Sequence, residues 1–186
     1  MLSPVYPIAT DRLLLRPLDR MRDVDAVLAY QSRPEVMRNL RVAPRSREEV
    51  VEFLTSPATR STFELPGHMI SLAVVVRETD ELIGDASLVW SSAVHERAEF
   101  GCVLHPEFQG HGYATEACTA LVRYAFEGLG VHRVIARLDE RNRASAAMVQ
   151  RIGLRREACL VDHEKVDGHW ITELVFAVLA DEWAAG

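Results

Sequence analysis

The sequence predicts an α+β (mixed α/β) fold, in which one mixed sheet carries helices on its faces. Three observations predict it. Apolar and β-branched runs of strand length recur through the chain, separated by short turn signals. Two amphipathic helices follow the first strand, and two more are interleaved with later strands. A glycine-containing loop, Gln109-Gly110-His111-Gly112-Tyr113-Ala114, stands where a strand gives way to a helix.

The elements follow in order. Leu13-Leu14-Leu15-Arg16 reads as a first strand that Pro17 stops. Residues 19–30 read as a helix with Val24, Val27, Leu28 and Gln31 on one face, only the first three apolar. Ser46 and Glu49 have capping-box spacing and open a second helix, striped by Val50, Phe53 and Leu54. Residues 69–77 and 82–90 flank the turn Glu78-Thr79-Asp80-Glu81 as an antiparallel hairpin. Residues 98–104 form the next strand, ended by His105-Pro106. Residues 115–126 are helical, with Ala114, Cys118, Leu121, Val122 and Ala125 at helical spacing and Gly128 and Gly130 as the stop. Residues 131–138 are a strand. Asn142 caps a short helix through Ile152 that Gly153 ends. Two strands, 159–166 and 169–179, close around an Asp167-Gly168 turn. This makes about seven strands and four helices.

Bulk properties narrow the function classes. The 186 residues suit one domain, 1–186, with a sizeable core. Hydrophobic residues make up 48% and charged residues 26%, the balance of a soluble globular chain. No apolar run reaches membrane-span length and no signal peptide is visible, so no membrane partner is expected. The net charge of -6 argues against a general nucleic-acid binder. Cys102, Cys118 and Cys159 are odd in number and not at metal spacing; they read as buried small hydrophobes in a reducing, cytoplasmic setting, with no metal. Arg33, Arg38, Arg41, Arg45 and Arg47 read first as a solvated edge, and second as a rim meeting an anion.

The loop at 109–114 carries the chemistry. Amide groups at a helix start lack intrahelical acceptors, and the dipole there favours an anion. Gly110 and Gly112 let the backbone come close to a phosphate. A P-loop would need Gly-Lys-Ser/Thr, and the loop has no Lys. A dinucleotide fingerprint would need a third Gly and a parallel βαβ unit, whereas the preceding strands read as antiparallel.

In that strand–loop–helix context the run resembles the Gln/Arg-x-x-Gly-x-Gly/Ala signature of the GNAT superfamily of N-acetyltransferases. The wider text is similar to its RimJ/RimL-like branch: Thr10-Asp11-Arg12-Leu13-Leu14-Leu15-Arg16-Pro17, then Leu82-Ile83-Gly84, then Asn142-Arg143-Ala144-Ser145 followed by Ile152-Gly153-Leu154. The series spans residues 10–183 in family order. The resemblance implies a GNAT-type fold, a central, mixed, mostly antiparallel sheet of about seven strands flanked by four helices, and acetyl-CoA as co-substrate. It implies that Gln109, Gly110, His111, Gly112, Tyr113, Ala114 and Thr115 hold the CoA diphosphate. His111 would act through its backbone. Val103 and Leu104 would pair with the pantetheine amides in a slot opened by a splay between this strand and the one from Val131. The amide near Val103 would polarise the thioester carbonyl. Asn142 and Ser145 would contact the pantetheine arm.

Acetyl transfer to nitrogen needs a neutral amine, a donor for the oxyanion and a proton for the departing thiolate. Glu99 is the first candidate base: it lies ten positions before Gln109, close to where the resemblance implies a catalytic Glu in several branches, and alternation puts Glu99, Gly101 and Val103 on one face. Glu164, just before the last turn, is the second. Ser145 is the candidate acid: the Tyr that many family members carry four positions later is Val149 here. A lysine amine costs about 4.6 kcal/mol to deprotonate at neutral pH and an α-amine about 1.4 kcal/mol, which favours a protein N-terminal α-amine or a small-molecule amine of low pKa as acceptor. Family members often form homodimers, so a homodimer is an expectation carried by the resemblance alone. Two rivals stand beside the enzyme: a non-catalytic CoA-binding sensor or interaction protein on the same fold, and a nucleotide-binding protein.

Overall fold

In the computed structural model, which describes residues 3–40, 42–166 and 168–185, one sheet organises the chain. Its strands are β1 (Ile8–Ala9), β2 (Leu13–Pro17), β3 (Met69–Val76), β4 (Glu81–Ser92), β5 (Arg97–Leu104), β6 (Arg133–Asp139), β7 (Arg155–Val166) and β8 (His169–Leu179). They lie in the order β1-β2-β3-β4-β5-β6-β8-β7. Each neighbouring pair is antiparallel except β5 and β6, which are parallel. The helices are α1 (Val24–Gln31), α2 (Pro34–Met37), α3 (Arg47–Thr55), α4 (Tyr113–Glu127), α5 (Arg143–Ile152) and α6 (Ala180–Ala185). No helix among the described residues is long and apolar enough to cross a membrane.

Two apolar cores sandwich the sheet. On one face, α4 lays Ala117, Cys118, Leu121, Val122 and Ala125 over Phe100, Leu104, Val134 and Phe176, and α5 adds Val149 and Ile152. On the other face, Val24, Val27 and Tyr30 of α1 meet Val50 and Leu54 of α3, with Val103 beneath them. Strand alternation therefore splits β5 cleanly: Phe100 and Leu104 go to the first core and Val103 to the second.

The mixed fold follows the sequence, with more pieces than expected: eight strands for seven and six helices for four among the described residues. The additions β1, α2 and α6 have two, four and six residues, too short to establish a period. The first helix begins at Val24, not near Asp19. Asp19 Oδ1 accepts from the Met21 and Arg22 amides and makes a turn, while the Asp23 carboxylate is taken by Arg16 at 2.7 and 2.8 Å. The capping box of Ser46 and Glu49, the Asn142 cap and the left-handed Gly153 stop are all present. The cysteines correct the expectation of uniform burial: Cys118 is buried, Cys102 partly so, and Cys159 is exposed on the outermost strand. Gly168 adopts φ +81 at the last turn, and its expected partner Asp167 lies outside the described residues.

Arg41 likewise lies outside the described residues. Of the other basic residues, Arg47 pairs with Asp25 and Arg33 with Glu35 on the surface. Arg45 departs from the solvated-edge expectation. It stacks 4.3 Å from the Phe53 ring centre, and it donates from its guanidinium to Gln31 Oε1 and from its amide to the Gln31 carbonyl. It thus latches the segment that carries α2 to the end of α1.

Candidate active site

The site grows from one break in the sheet. β5 and β6 pair only at Arg97↔Arg133, Ala98↔Val134 and Glu99↔Ile135. Beyond that last rung β5 continues to Leu104 and β6 to Asp139, and the two splay apart. The wedge between them is a cleft of about 750 Å³, walled by residues 100–104 on one side and 136–139 on the other. Backbone groups of β5 that would have met β6 are turned to this wedge, where an extended amide-bearing ligand can take them.

At the mouth of the wedge stands the glycine loop. Gln109 folds back so that Nε2 donates to the Leu104 carbonyl at 3.0 Å, tying the loop to the end of β5. Gly110 and Gly112 have φ of +81 and +84, the left-handed region that a Cβ disfavours. Gly112 is the N-cap of the 15-residue α4 and has no side chain to cap it, so the first-turn amides of α4 face the cleft uncapped. The loop is braced from outside by a residue not singled out for this role by sequence reasoning. Arg12 Nη1 donates to the His111 carbonyl at 3.0 Å, its guanidinium lies 4.6 Å from the Tyr113 ring centre, and its Nε pairs with Glu116 Oε2 at 2.7 Å. Thr10 and the Arg12 amide add hydrogen bonds of 2.6 and 2.8 Å to Glu116 Oε1. Only the motif text around Thr10-Asp11-Arg12 hinted at it, because the contact spans 104 positions.

The cleft brings together every residue expected at the cofactor: Val103, Leu104, Gln109, Gly110, His111, Gly112, Tyr113, Ala114, Thr115, Asn142 and Ser145 all line it. Asn142 Oδ1 accepts from the Ser145 amide at 3.1 Å, so the N-cap of α5 fixes where Ser145 stands. Val149, one turn further on, lines the same wall and is 1% exposed. Sequence reasoning named no residue of the opposite wall. Ala136, Arg137, Leu138 and Asp139 of β6 form it; Val36 and Leu40, from the segment after α1, also line the cleft.

The two candidate carboxylates part company. Glu99 occupies the vertex of the splay, in the last paired rung and next to the cleft-lining Phe100 and Gly101. Its carboxylate lies 3.6 Å from Arg137 Nε. Burial pushes its pKa up and Glu173 adds to that, while Arg137 and Arg97 oppose. Glu164 is exposed on β7 opposite Ile171, and neither carboxylate is itself among the residues that line the cleft.

The residues present fit a diphosphate carried on an extended amide arm: an uncapped helix start with a left-handed glycine approach lies at one end, and an unpaired strand edge along the side.

Comparison with known proteins agrees with this geometry. Residues 12–155 match the family model described as an acetyltransferase (GNAT) domain. The uncharacterized N-acetyltransferase p20 of Bacillus licheniformis is 30% identical over 94% of this chain and 97% of its own length. The [ribosomal protein uS5]-alanine N-acetyltransferase of Escherichia coli is 29% identical over 46% of this chain and 44% of its own. The spermidine N(1)-acetyltransferase of Escherichia coli is 27% identical over 60% of each. Among solved structures, an acetyltransferase of the GNAT family from Bacillus anthracis superposes with a TM-score of 0.82 and 25% identity, covering 93% of this chain and 98% of that one.

Proposed function

Since the chain belongs to the GNAT family of N-acetyltransferases, we propose that it transfers the acetyl group of acetyl-CoA directly to a primary amine, in a ternary complex. The observation that carries this reading is the wedge between β5 and β6, with a glycine-opened helix start at its mouth and Glu99 at its vertex. In this reading the first-turn amides of α4 and the loop 109–115 hold the diphosphate. The open edge of β5 at Val103 and Leu104, with Asn142 opposite, takes the pantetheine amides. Acetyl-CoA supplies an activated thioester. The chain supplies its orientation, an amide near Val103 for the developing oxyanion, and a base.

Glu99 is that base. A carboxylate in a partly covered site with a raised pKa is better matched to an ammonium than a solvated one. It takes one proton from the amine nitrogen, and the freed lone pair attacks the thioester carbon. Ser145 is the residue on the cleft wall that can meet the departing sulfur, because Val149 stands where a Tyr acid would be. Glu164, exposed on the outer hairpin, suits contact with an incoming acceptor better than proton transfer.

For the acceptor, a site without a Tyr acid favours the amine that is cheaper to deprotonate, an α-amine or a small amine of low pKa. The relative that acts on ribosomal protein uS5 uses an alanine amine, in keeping with this choice, whereas the one that acts on spermidine uses an alkylamine as basic as that of lysine. The three cysteines are free thiols, in keeping with a cytoplasmic setting. Val149 also favours a second reading, a CoA-binding sensor that has lost turnover. Thiol release from acetyl-CoA across a panel of peptide α-amines, blocked-N-terminus lysine peptides and polyamines tests both. Turnover on α-amine peptides or small amines supports the enzyme. Binding of acetyl-CoA with no turnover on any amine supports the sensor. A clear preference for lysine side chains overturns the acceptor assignment.

A further inference from the structure

Three charged side chains stand in a row at the vertex of the splay, on one face of the sheet. Glu99 pairs in register with Ile135, two positions before Arg137 on β6. Arg137 pairs with Val175, two positions after Glu173 on β8. In adjacent strands, partners in register and residues two apart share a face, so the three side chains emerge together. Arg137 Nη1 lies 2.8 Å from Glu173 Oε2, and its Nε lies 3.6 Å from Glu99 Oε2. The Glu173 side chain is 2% exposed, that of Arg137 42%. The charged surroundings of Glu99 are Arg97 on its own strand, Arg137 on β6 and Glu173 on β8. Beyond Glu173, His163 of β7 approaches within 3.9 Å. On its other side β4 places Val89 in register with it.

We infer that Arg137 is a positioning residue for the transfer, the clamp that holds Glu99 in place as the base against the neighbouring Glu173. This rests on the reading of Glu99 as the base. Two carboxylates in a half-covered space repel, and one tends to take a proton unless a cation lies between them. Arg137 is that cation. Its tight contact runs to the buried Glu173, which anchors the guanidinium. Its longer contact runs to Glu99 Oε2, which leaves Oε1 for the amine. With Glu99 ionised, an N–H bond of the acceptor ammonium breaks, an O–H bond forms on Glu99, and the electron pair stays on nitrogen for attack. Arg137 also lines the cleft, so it is placed to set the charge that the incoming amine meets.

The test is the pH dependence of kcat/KM with acetyl-CoA and one α-amine peptide, for the wild type and four variants whose folded state is checked by thermal melting. In Arg137→Met, Glu99 holds its proton to higher pH. The ratio of kcat/KM at pH ~8 to that at pH ~6 should then rise about tenfold over the wild type. Arg137→Lys keeps the cation and should stay near the wild-type ratio. Arg137→Met combined with Glu173→Gln removes the repulsion and should move the ratio back. A loss in Arg137→Met by one common factor at every pH overturns the inference, as does an Arg137→Lys profile no better than that of Arg137→Met. Glu99→Gln separates the two levels. If it abolishes the acidic limb while Arg137→Met leaves that limb in place, the role of Arg137 alone falls. If it retains wild-type kcat/KM and profile, the base assignment falls and the role of Arg137 with it.

Discussion

Gly84 lies against Val103 so closely that a Cβ built on it would stand 2.1 Å from the Val103 carbonyl oxygen. The next obstacle in the backbone, Leu104 Cα, is 2.9 Å away. β4 reaches this approach just after a register shift, where Val74 pairs with Gly84 and Val75 with Leu82, so that Ile83 is the extra residue. The stretch that Gly84 admits is the wall of the cleft. Replacement by any other residue must push Val103 and Leu104 away from β4, toward the wedge.

Gly84→Ala is therefore expected to cost roughly 3 kcal/mol of stability, because the clash is with backbone rather than a flexible side chain. It should also weaken acetyl-CoA binding. Urea unfolding and calorimetric titration check both effects, and an unchanged midpoint with unchanged affinity contradicts the close-approach argument.

Arg12→Ala removes the brace behind the loop 109–115. The expected effect is about 1 kcal/mol, roughly fivefold in Kd for acetyl-CoA, with a small fall in Tm. Glu116, the partner of Arg12, sets the pH dependence of this brace. Burial opposes its charge, but Thr10 and Arg12 outweigh burial and hold its carboxyl below the usual range. Its contribution is thus complete at neutral pH and is lost only as pH falls through that lowered value. Equal Kd values for wild type and Arg12→Ala at pH ~7 would contradict the role given to Arg12.

Much of this was legible in the sequence, and what was missed has physical causes. The run 109–114 could be read because its chemistry is local: a strand end, two glycines and a helix start within a few residues. The caps at Ser46 and Asn142 are local for the same reason. Arg12, Gly84 and Arg137 act across strands, on partners up to 104 positions away, and no periodicity reports such a contact. Gln31 broke the apolar pattern of the first helix, and its meaning emerged only in three dimensions. Its Nε2 donates to Asp85 at 3.4 Å while Arg45 donates to its Oε1. Glu164 was picked by its place just before the last turn, and alternation alone could not say that β7 would be an outermost strand.

Asp85 gives a stability signature of its own. It is 8% exposed, receives the Tyr30 hydroxyl at 2.5 Å, and burial raises its pKa to about 6 against the pull of Tyr30, Gln31 and Arg45. The folded value exceeds the unfolded one, so the stabilisation is complete below pH ~4 and is lost as pH rises through about 6. Relative to Asp85→Asn, the wild type should lose on the order of 2 kcal/mol between pH ~4 and pH ~7. Urea unfolding of both proteins at several pH values measures this; parallel curves would contradict a raised Asp85.

Ser145→Ala should separate binding from chemistry. The amide of Ser145, not its hydroxyl, is held by Asn142, so the helix start survives the change. A fall in kcat of about tenfold with Kd for acetyl-CoA within about twofold is expected if the hydroxyl serves the departing sulfur. A wild-type kcat would leave that proton to water and remove Ser145 from the chemistry.

The most direct measurement is steady-state release of CoA thiol from acetyl-CoA with an α-amine peptide, comparing wild type with Glu99→Gln at matched acetyl-CoA occupancy. The account predicts acceptor-dependent release by the wild type and a loss of about a hundredfold or more in kcat/KM for Glu99→Gln, with acetyl-CoA binding retained. Equal rates for the two proteins, or release that does not depend on any amine, would contradict it.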